Sequence, residues 1–257
     1  MFRLPVSGLP VVVHQLTGVE DLLLQEAPAL DVGFALSLVE RLVQVHDHAT
    51  MDWRGLAVTD FEAMLLLVRR ATLGDLVSAE TNCTAAGCGA RMDVSFHIEE
   101  YLARGTPHHA KGVEKRETDG WFGLTGQNVR FRLPNVGDLM AVDSQTNPER
   151  ELFRRCVEPE MVPAPLRRRI DWALQALAPR LSQTLAGECP ECHAQMDFYF
   201  DVRDFVLREL RLKAAAIYQE VHLLAFYYKW PEEDILALPR SRRIQYASAL
   251  RSRGSAA

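Results

Sequence analysis

The chain has 257 residues, of which 48% are hydrophobic and 25% charged, and this ordinary composition excludes wholesale disorder. No run approaches the roughly 20 apolar residues of a membrane-spanning helix, and we expect no signal peptide, because the amino-terminal segment lacks a long apolar core with a cleavage site. The net charge of −5 is unevenly distributed: residues 1–239 carry 24 basic and 34 acidic side chains, and the tail that follows carries five arginines and no acid. The acidic body disfavours general affinity for nucleic acid, because such affinity depends on clustered cations.

Capping-box patterns mark the start of two predicted helices in the first half of the chain. Thr17 is followed three residues later by Glu20, and Thr59 by Glu62, the spacing at which each side chain bonds the backbone amide of the other. The first box predicts a short helix and the second a largely buried one. Between them, apolar side chains at helical spacing predict another helix over residues 32–45.

Alternating apolar and polar residues predict a strand after each of two cysteine pairs, beginning at Met92 and at Met196. Between them, the polar and glycine-bearing residues 103–126 predict a loop with a hairpin around Gly120. The remaining predicted elements are a strand over 11–14, helices over 148–156 and from 166 to about 185, a long helix beginning near 202, and a short helix after Pro231. Pro179 is a position where the helix from 166 could end or kink.

The two cysteine pairs are followed by near-matching sequence. The first begins CTAAGCGARMDVSFHI at Cys83, and the second begins CPECHAQMDFYFDV at Cys189. Aligning Cys88 with Cys192 also pairs the methionine and phenylalanine positions that follow, and a weaker match extends upstream. We therefore predict an α+β fold of tandem duplicated helix-plus-strand units, joined by a four-cysteine, zinc-ribbon-like site and followed by a helical carboxyl-terminal tail. The predicted divisions are a first repeat over 1–105, a linker over 106–127, a second repeat over 128–202 and the tail over 203–257.

The four cysteines Cys83, Cys88, Cys189 and Cys192 predict one structural Zn²⁺, because two knuckles supply the closed tetrahedral thiolate set that zinc takes at such sites. A cytoplasmic setting favours reduced thiols. Local disulfides, a redox C-P-E-C motif and a catalytic zinc with His193 replacing one cysteine are the alternatives. Whether both knuckles bind one ion within a chain or between chains stays open. Cys156, the odd cysteine, is predicted to pack on a helix face.

Other candidate sites carry weaker signals. The pairs His46/His48 and His108/His109 could ligate a metal, but nothing adjacent in sequence completes a ligand set, so a solvated position is the preferred interpretation. The chain has no glycine-rich phosphate loop, no H-E-x-x-H helix and no serine elbow. We therefore expect a protein without enzymatic activity.

The predicted tail has an apolar face suited to packing on another helix. Its apolar residues recur at 4-3-4-3-4 spacing from Leu210 to Tyr228, Phe226 and Tyr227 widen that face, and the arginines that follow could orient an acidic partner. The predicted partner-binding residues are Leu210, Ile217, Val221, Leu224, Tyr228, Trp230, Arg240, Arg242 and Arg243. If the tail is a separate partner surface, residues 203–257 should be removable while the zinc-bound body stays folded. The alternative is that the tail helix simply closes the fold.

Several segments resemble a family of baseplate proteins from contractile-tailed phages and related injection systems, which includes hub-assembly factors. They are LPVSGL, TGVEDLLL, the knuckle followed by MDVSFHI, and VHLLAFYYKWPEEDILALPRSRRIQY. The resemblance implies a structural component or assembly chaperone with other baseplate or hub proteins as partners. It implies a location in the bacterial cytoplasm during assembly and leaves open whether the chain stays in the finished particle.

A zinc-ribbon adaptor that binds nucleic acid or transcription machinery is the alternative function. Zinc ribbons commonly serve there, and the tail arginines favour it. The acidic body and the lack of interleaved basic and aromatic residues near the knuckles argue against it. Nucleic acid and membranes are therefore not expected partners.

Overall fold

A computed structural model describes residues 1–45, 51–115 and 120–254, with side chains described as far as residue 252. His46 and His48, considered above as metal ligands, lie outside the described residues. Within the described ranges, no helix is both long and apolar enough to cross a membrane.

The chain folds into helices and short strands that follow one another along the sequence. The described helices are α1 (Gly18–Glu26), α2 (Val32–Leu42), α3 (Val58–Leu73), α4 (Ile98–Arg104), α5 (Val136–Val142), α6 (Pro148–Cys156), α7 (Ala164–Leu177), α8 (Val202–Ala214), α9 (Ile217–Tyr228), α10 (Glu232–Leu236) and α11 (Arg240–Gly254). The described strands are β1 (Phe2–Arg3), β2 (Pro10–Val13), β3 (Val43–Val45), β4 (Leu76–Asn82), β5 (Arg91–His97), β6 (Val113–Lys115), β7 (Trp121–Leu124), β8 (Arg130–Arg132), β9 (Val157–Glu158), β10 (Gln183–Glu188) and β11 (Gln195–Phe200).

All strand pairing in the described part of the chain is antiparallel. Strands β1, β2 and β3 form one small sheet, and β6 to β9 form a four-stranded meander in chain order. The pairs β4–β5 and β10–β11 are separate two-stranded hairpins. The fold is therefore mixed α/β with small antiparallel sheets, and the tandem duplication stays a prediction.

The main core is built around α3, because every residue from Thr59 to Arg69 is buried. Helix α2 packs on it from one side, and α8 packs against both α3 and α1. A smaller second core lies between the four-stranded sheet and α7, where Phe131 and Ile170 are fully buried. The main core also includes residues of the hairpins that carry the cysteines, among them Val77, Phe96 and Phe200.

The two capping-box patterns have different outcomes. At the first, Thr17 N donates to Glu20 Oε2 at 3.0 Å and Val19 N donates to Thr17 Oγ1 at 3.3 Å, so the predicted box is confirmed. At the second, the prediction is wrong, because α3 begins after Ala57 without a side-chain cap. Thr59 and Glu62 instead bond residues far along the chain.

Those long-range bonds fix the segment that leads into β10. Thr59 Oγ1 donates to the Pro179 carbonyl at 3.1 Å, and Glu62 accepts Ser182 N at 3.1 Å and Ser182 Oγ at 2.7 Å. Ser182 Oγ also accepts Val202 N at 3.0 Å. A buried carboxylate on α3 thereby anchors both the second hairpin and the start of α8.

Most other predicted elements lie where expected, and three end early. Helix α6, the hairpin near Gly120 and the helix after Pro231 are confirmed. The helix predicted over 32–45 ends at Leu42, where the chain turns into β3. The helix predicted from 166 to about 185 ends at Leu177, before Pro179. The long tail helix is broken at residues 215–216 into α8 and α9.

The predicted tail does not stand apart from the body. Val206, Leu207 and Leu210 of α8 are fully buried in the main core. Removing residues 203–257 would therefore take away part of that core, so the structure gives no support to the prediction that the body stays folded after this truncation. At these positions the apolar face closes the fold, which was the alternative interpretation.

Two of the tail arginines are also buried within the chain. Arg240 Nε donates to both carboxylate oxygens of Asp21, at 2.9 and 3.1 Å, and Arg243 Nε donates to Glu220 Oε2 at 2.8 Å. Arg243 also pairs with Asp21. The Arg240 and Arg243 side chains are 4% and 1% exposed, and Asp21 is fully buried. This charge network ties α11 to α1 and α9, so neither arginine is available to a partner.

We expect Glu62→Gln to change the pH dependence of stability. Burial raises the pKa of the Glu62 carboxyl above its ordinary value, against the opposing hydrogen bonds from Ser182. At a pH between the pKa of Glu62 in the unfolded chain and its raised pKa in the folded protein, folding is therefore accompanied by the uptake of a proton by Glu62. The contribution of Glu62 to stability is fully present below the unfolded value and is lost as the pH rises through the raised folded value.

Urea unfolding of the wild type and Glu62→Gln at about pH 4 and about pH 7 measures this effect, since the ordinary Glu pKa lies near the lower value. When the pH is raised from about 4 to about 7, the wild type should lose the contribution of Glu62 to its free energy of unfolding. The variant has no such contribution to lose, so its free energy of unfolding should rise more, or fall less, than that of the wild type. Exposed Glu149 supplies the control Glu149→Gln, which should behave as the wild type. Equal pH profiles for all three proteins would contradict the prediction.

Candidate metal centre

The four predicted ligands lie at the tips of the two hairpins. Strands β4 and β5 pair from Leu76 with His97 up to Asn82 with Arg91, and Cys83 is the next residue after β4. Strands β10 and β11 pair up to Glu188 with Gln195, and Cys189 follows. Each hairpin therefore presents its first cysteine directly after the last paired residue.

The backbone closes both tips in the same way. Cys83 N donates to the Ala90 carbonyl at 2.8 Å, and Cys189 N donates to the Ala194 carbonyl at 3.0 Å. The residue after each second cysteine has left-handed backbone, with φ of 61° at Gly89 and 59° at His193. Glycine adopts this conformation freely, whereas a side chain is strained there. The matched turns show that both sequences, despite their different spacing, build the same kind of knuckle.

The four sulfur atoms converge in one cluster within a single chain. Cys83 Sγ lies 3.7 Å from Cys192 Sγ, and Cys88 Sγ lies 3.9 Å from Cys189 Sγ. All four ligand atoms lie within 4.8 Å of one another. Tetrahedral zinc with Zn–S bonds of about 2.3 Å requires S–S separations of about 3.8 Å, whereas a disulfide requires about 2.05 Å. The cluster can therefore hold a metal ion, and its four cysteines are free thiols in the structure, not joined by local disulfides.

Two of the ligand thiols have pKa values shifted in opposite directions by backbone amides and neighbouring thiols. A hydrogen bond from Ala85 lowers the pKa of the Cys83 thiol, but burial and the neighbouring thiols outweigh it and raise that pKa to about 12. The backbone amide of Cys192 is the main cause that lowers the pKa of Cys189 to about 7. The knuckle thus stabilises a first thiolate at Cys189. A cation bound among the sulfurs would compensate the charge that further deprotonation brings.

Apolar side chains support the cluster from below. Met92 and Met196, which the sequence alignment pairs, are buried and pack with Cys83 and Cys189. Further along the hairpins the rings of Phe96 and Phe200, also paired by the alignment, meet edge to face at 5.4 Å. The two hairpins are therefore joined at their tips by sulfur and at their bases by aromatic packing.

The histidine considered as a replacement ligand points away from the sulfurs. His193 Nδ1 lies 2.7 Å from Glu188 Oε1, and its side chain is 76% exposed. Sequence reasoning did not identify Glu188 as its partner, although the acid stands directly before Cys189. The sequence does not specify the register across the hairpin tip that brings the two side chains together. This arrangement leaves Cys83, Cys88, Cys189 and Cys192 as the ligand set.

The remaining candidate ligands take no part in the cluster. Cys156 is buried on α6, as predicted, and its Sγ lies 3.7 Å from Asp138 Oδ2. Burial raises the pKa of the Cys156 thiol to about 12. Across the described ranges, no other group of three or more histidine, cysteine or acidic residues could hold a metal, so His108 and His109 have no such partners.

The predicted partner-binding residues separate into a buried and an accessible set. Leu210, Ile217 and Leu224 are at most 1% exposed, and with Arg240 and Arg243 they pack within the chain. Their burial corrects the prediction that they bind a partner. The accessible set consists of Val221 and Trp230, which are partly exposed, and of Tyr228 and Arg242, which are exposed.

Comparison of the chain with protein-family models, with curated proteins and with solved structures finds no match to any of them.

Proposed function

We propose that the chain is a non-enzymatic structural component or assembly chaperone, rigidified by one structural zinc ion. The observation that carries the proposal is the four-sulfur cluster, which joins two hairpins about a hundred residues apart in sequence. Four thiolates fill a tetrahedral site, so no coordination position remains for a substrate or an activated water. Zinc is the ion proposed because soft thiolate ligands in a tetrahedral set favour it.

An accessible aromatic surface supports a partner-binding role. We define it as Phe226, Tyr227, Tyr228 and Trp230, at the end of α9 and the turn after it. Phe226 is 58% exposed and Tyr227 59% exposed, and their rings meet edge to face at 5.2 Å. Tyr228 stacks on Trp230 at 4.9 Å. Aromatic anchors of this kind dominate the binding energy of protein interfaces.

The proposed partners are baseplate or hub proteins of a contractile tail or injection system. The family resemblance supports this class, because its most specific segment runs through α9, the aromatic surface and α10. The surface also carries a cation, since Lys229 Nζ lies 4.9 Å above the Phe226 ring; Arg242 on α11 is a further exposed cation. Such charges at the rim of an interface increase the association rate more than the affinity.

Substitution of the aromatic surface tests this role in the full chain. The double variant Phe226→Ser with Tyr227→Ser should weaken binding to purified baseplate or hub proteins from the same genome by at least about tenfold, because interface aromatics are hot spots. Isothermal titration measures the affinities. Leu212→Ser is the matched control, since Leu212 is 75% exposed on α8 and outside the surface.

The test requires that both variants keep the metal content and melting temperature of the wild type. Under that condition, loss of affinity in the double variant alone supports the proposal. Unchanged affinity in the double variant, or no binding by the wild-type chain to any of these proteins, would overturn it.

The buried charge network argues against the alternative function, a nucleic-acid adaptor. It depends on the tail arginines, and Arg240 and Arg243 are neutralised by buried carboxylates. A gel-shift experiment at moderate salt separates the two functions. A shift with duplex or single-stranded nucleic acid would favour the adaptor.

A further inference from the structure

The facing sides of the two hairpins line an apolar cavity that opens to the protein surface. Side chains alternate along each strand, so every second residue points between the hairpins. Ala79 pairs with Val94 in the first hairpin, and Leu185 pairs with Phe198 in the second. All four line a cavity of about 160 Å³ that both hairpins share. None of these side chains is fully buried.

The cavity is held open because the hairpins are joined at both ends. At the tips, the sulfurs of Cys83 and Cys192 lie 3.7 Å apart. At the base, Phe200 packs edge to face on both Phe96 and Tyr101, at 5.4 and 5.6 Å between ring centroids. The walls cannot close over the space without separating one of these joints. The hairpins are therefore held together on both sides of the cavity, and the small side chain of Ala79 is part of its lining.

The lining determines which ligand fits. It contains no charged side chain, and its polar groups are the hydroxyls of Thr81 and Tyr199. An ionised ligand would lose its hydration without a compensating charge. Tyr199 is itself 68% exposed, so the cavity reaches the protein surface. A neutral apolar ligand has both the access and the matching surroundings.

We infer that this cavity is a binding site for one small neutral ring compound of about the size of benzene. Enclosed apolar cavities of about 150 Å³ in proteins take up such molecules, and the volume of this one is similar. The ligand would bury its apolar surface and restore van der Waals contacts that the facing walls lack. This site is separate from the aromatic surface, and the inference does not depend on the proposed function.

Benzene titrated into the full chain, followed by methyl resonances in NMR spectra, tests the site. Saturable one-to-one shifts are expected for the methyl groups of Val77, Val94 and Leu185, which line the cavity. Ala79→Leu should fill the space and weaken binding at least tenfold. Ser78→Leu is the matched control, because Ser78 is exposed on the opposite face of β4, and it should bind benzene as the wild type does.

The wild-type spectra alone can decide the matter if Ala79→Leu does not fold. Saturable shifts confined to the cavity methyl groups support the site. Absence of saturation, or equal shifts of methyl groups in the main core such as Leu65, would overturn it. With a folded Ala79→Leu, benzene affinity equal to that of the wild type would overturn it as well.

Discussion

Replacing Cys189 with serine is expected to reduce bound metal from one ion per chain to almost none, and to lower the free energy of unfolding by several kcal/mol. Cys189 is fully buried in the cluster, and serine cannot supply the soft thiolate that the tetrahedral site uses. Metal binding at such a site is folding free energy, because the ligands are not preassembled in the unfolded chain. Native mass spectrometry under reducing conditions, without added metal, gives the stoichiometry and the mass of the ion.

Cys156→Ser provides the matched control for this substitution. It makes the same chemical change at the cysteine that lies beside Asp138, away from the cluster. It should keep one ion per chain, and zinc is the ion expected by mass. A full complement of metal in Cys189→Ser, or none in the wild-type chain, would show that the sulfur cluster is not a metal site.

Asp21→Asn is expected to destabilise the protein by about 3–5 kcal/mol, the usual consequence of removing one partner from a buried ion pair. Asp21 is fully buried and receives hydrogen bonds from both Arg240 and Arg243. Glu220 still faces Arg243 in the variant, but Arg240 would be left as an uncompensated buried charge. Urea denaturation of the wild type and variant measures the difference.

The control for Asp21 is an exposed ion pair of the same type. Asp204 on α8 pairs with Arg208 one helical turn later, and the two side chains are 46% and 72% exposed. Asp204→Asn should change stability by less than about 1 kcal/mol, since exposed pairs contribute little. If Asp21→Asn were no more destabilising than Asp204→Asn, the network would not be a main support of α11.

The metal centre was predictable because its signal is local and occurs twice. Cysteine spacing and the matching residues after each pair identify both knuckles, and alternation identifies the strands that carry them. Met92 and Met196 were aligned from sequence and both pack against the cysteines. The side-chain partner of His193 was not found, because Glu188 reaches it across a tip whose register the sequence does not specify.

Features that depend on distant partners were not predictable from local patterns. Thr17 with Glu20 and Thr59 with Glu62 have the same spacing, yet Ser182 captures Glu62 because the fold brings it within 2.7 Å. The apolar spacing after residue 202 indicates a buried helix face but not what buries it. From sequence, the tail arginines look like a solvated cationic run, because their partner Asp21 lies 219 residues away from Arg240 and only the fold brings them together.

The contact between α1 and α11 also determines when folding can finish during synthesis. Asp21 emerges from the ribosome long before Arg240, and at translation rates of about 5–20 residues per second the interval is roughly 10–40 s. Throughout it, the nascent chain holds a carboxylate at a position that becomes buried only with its countercharges. A chain that stops before residue 240 therefore lacks the countercharges of Asp21, and its first helix cannot complete the packing seen in the full chain.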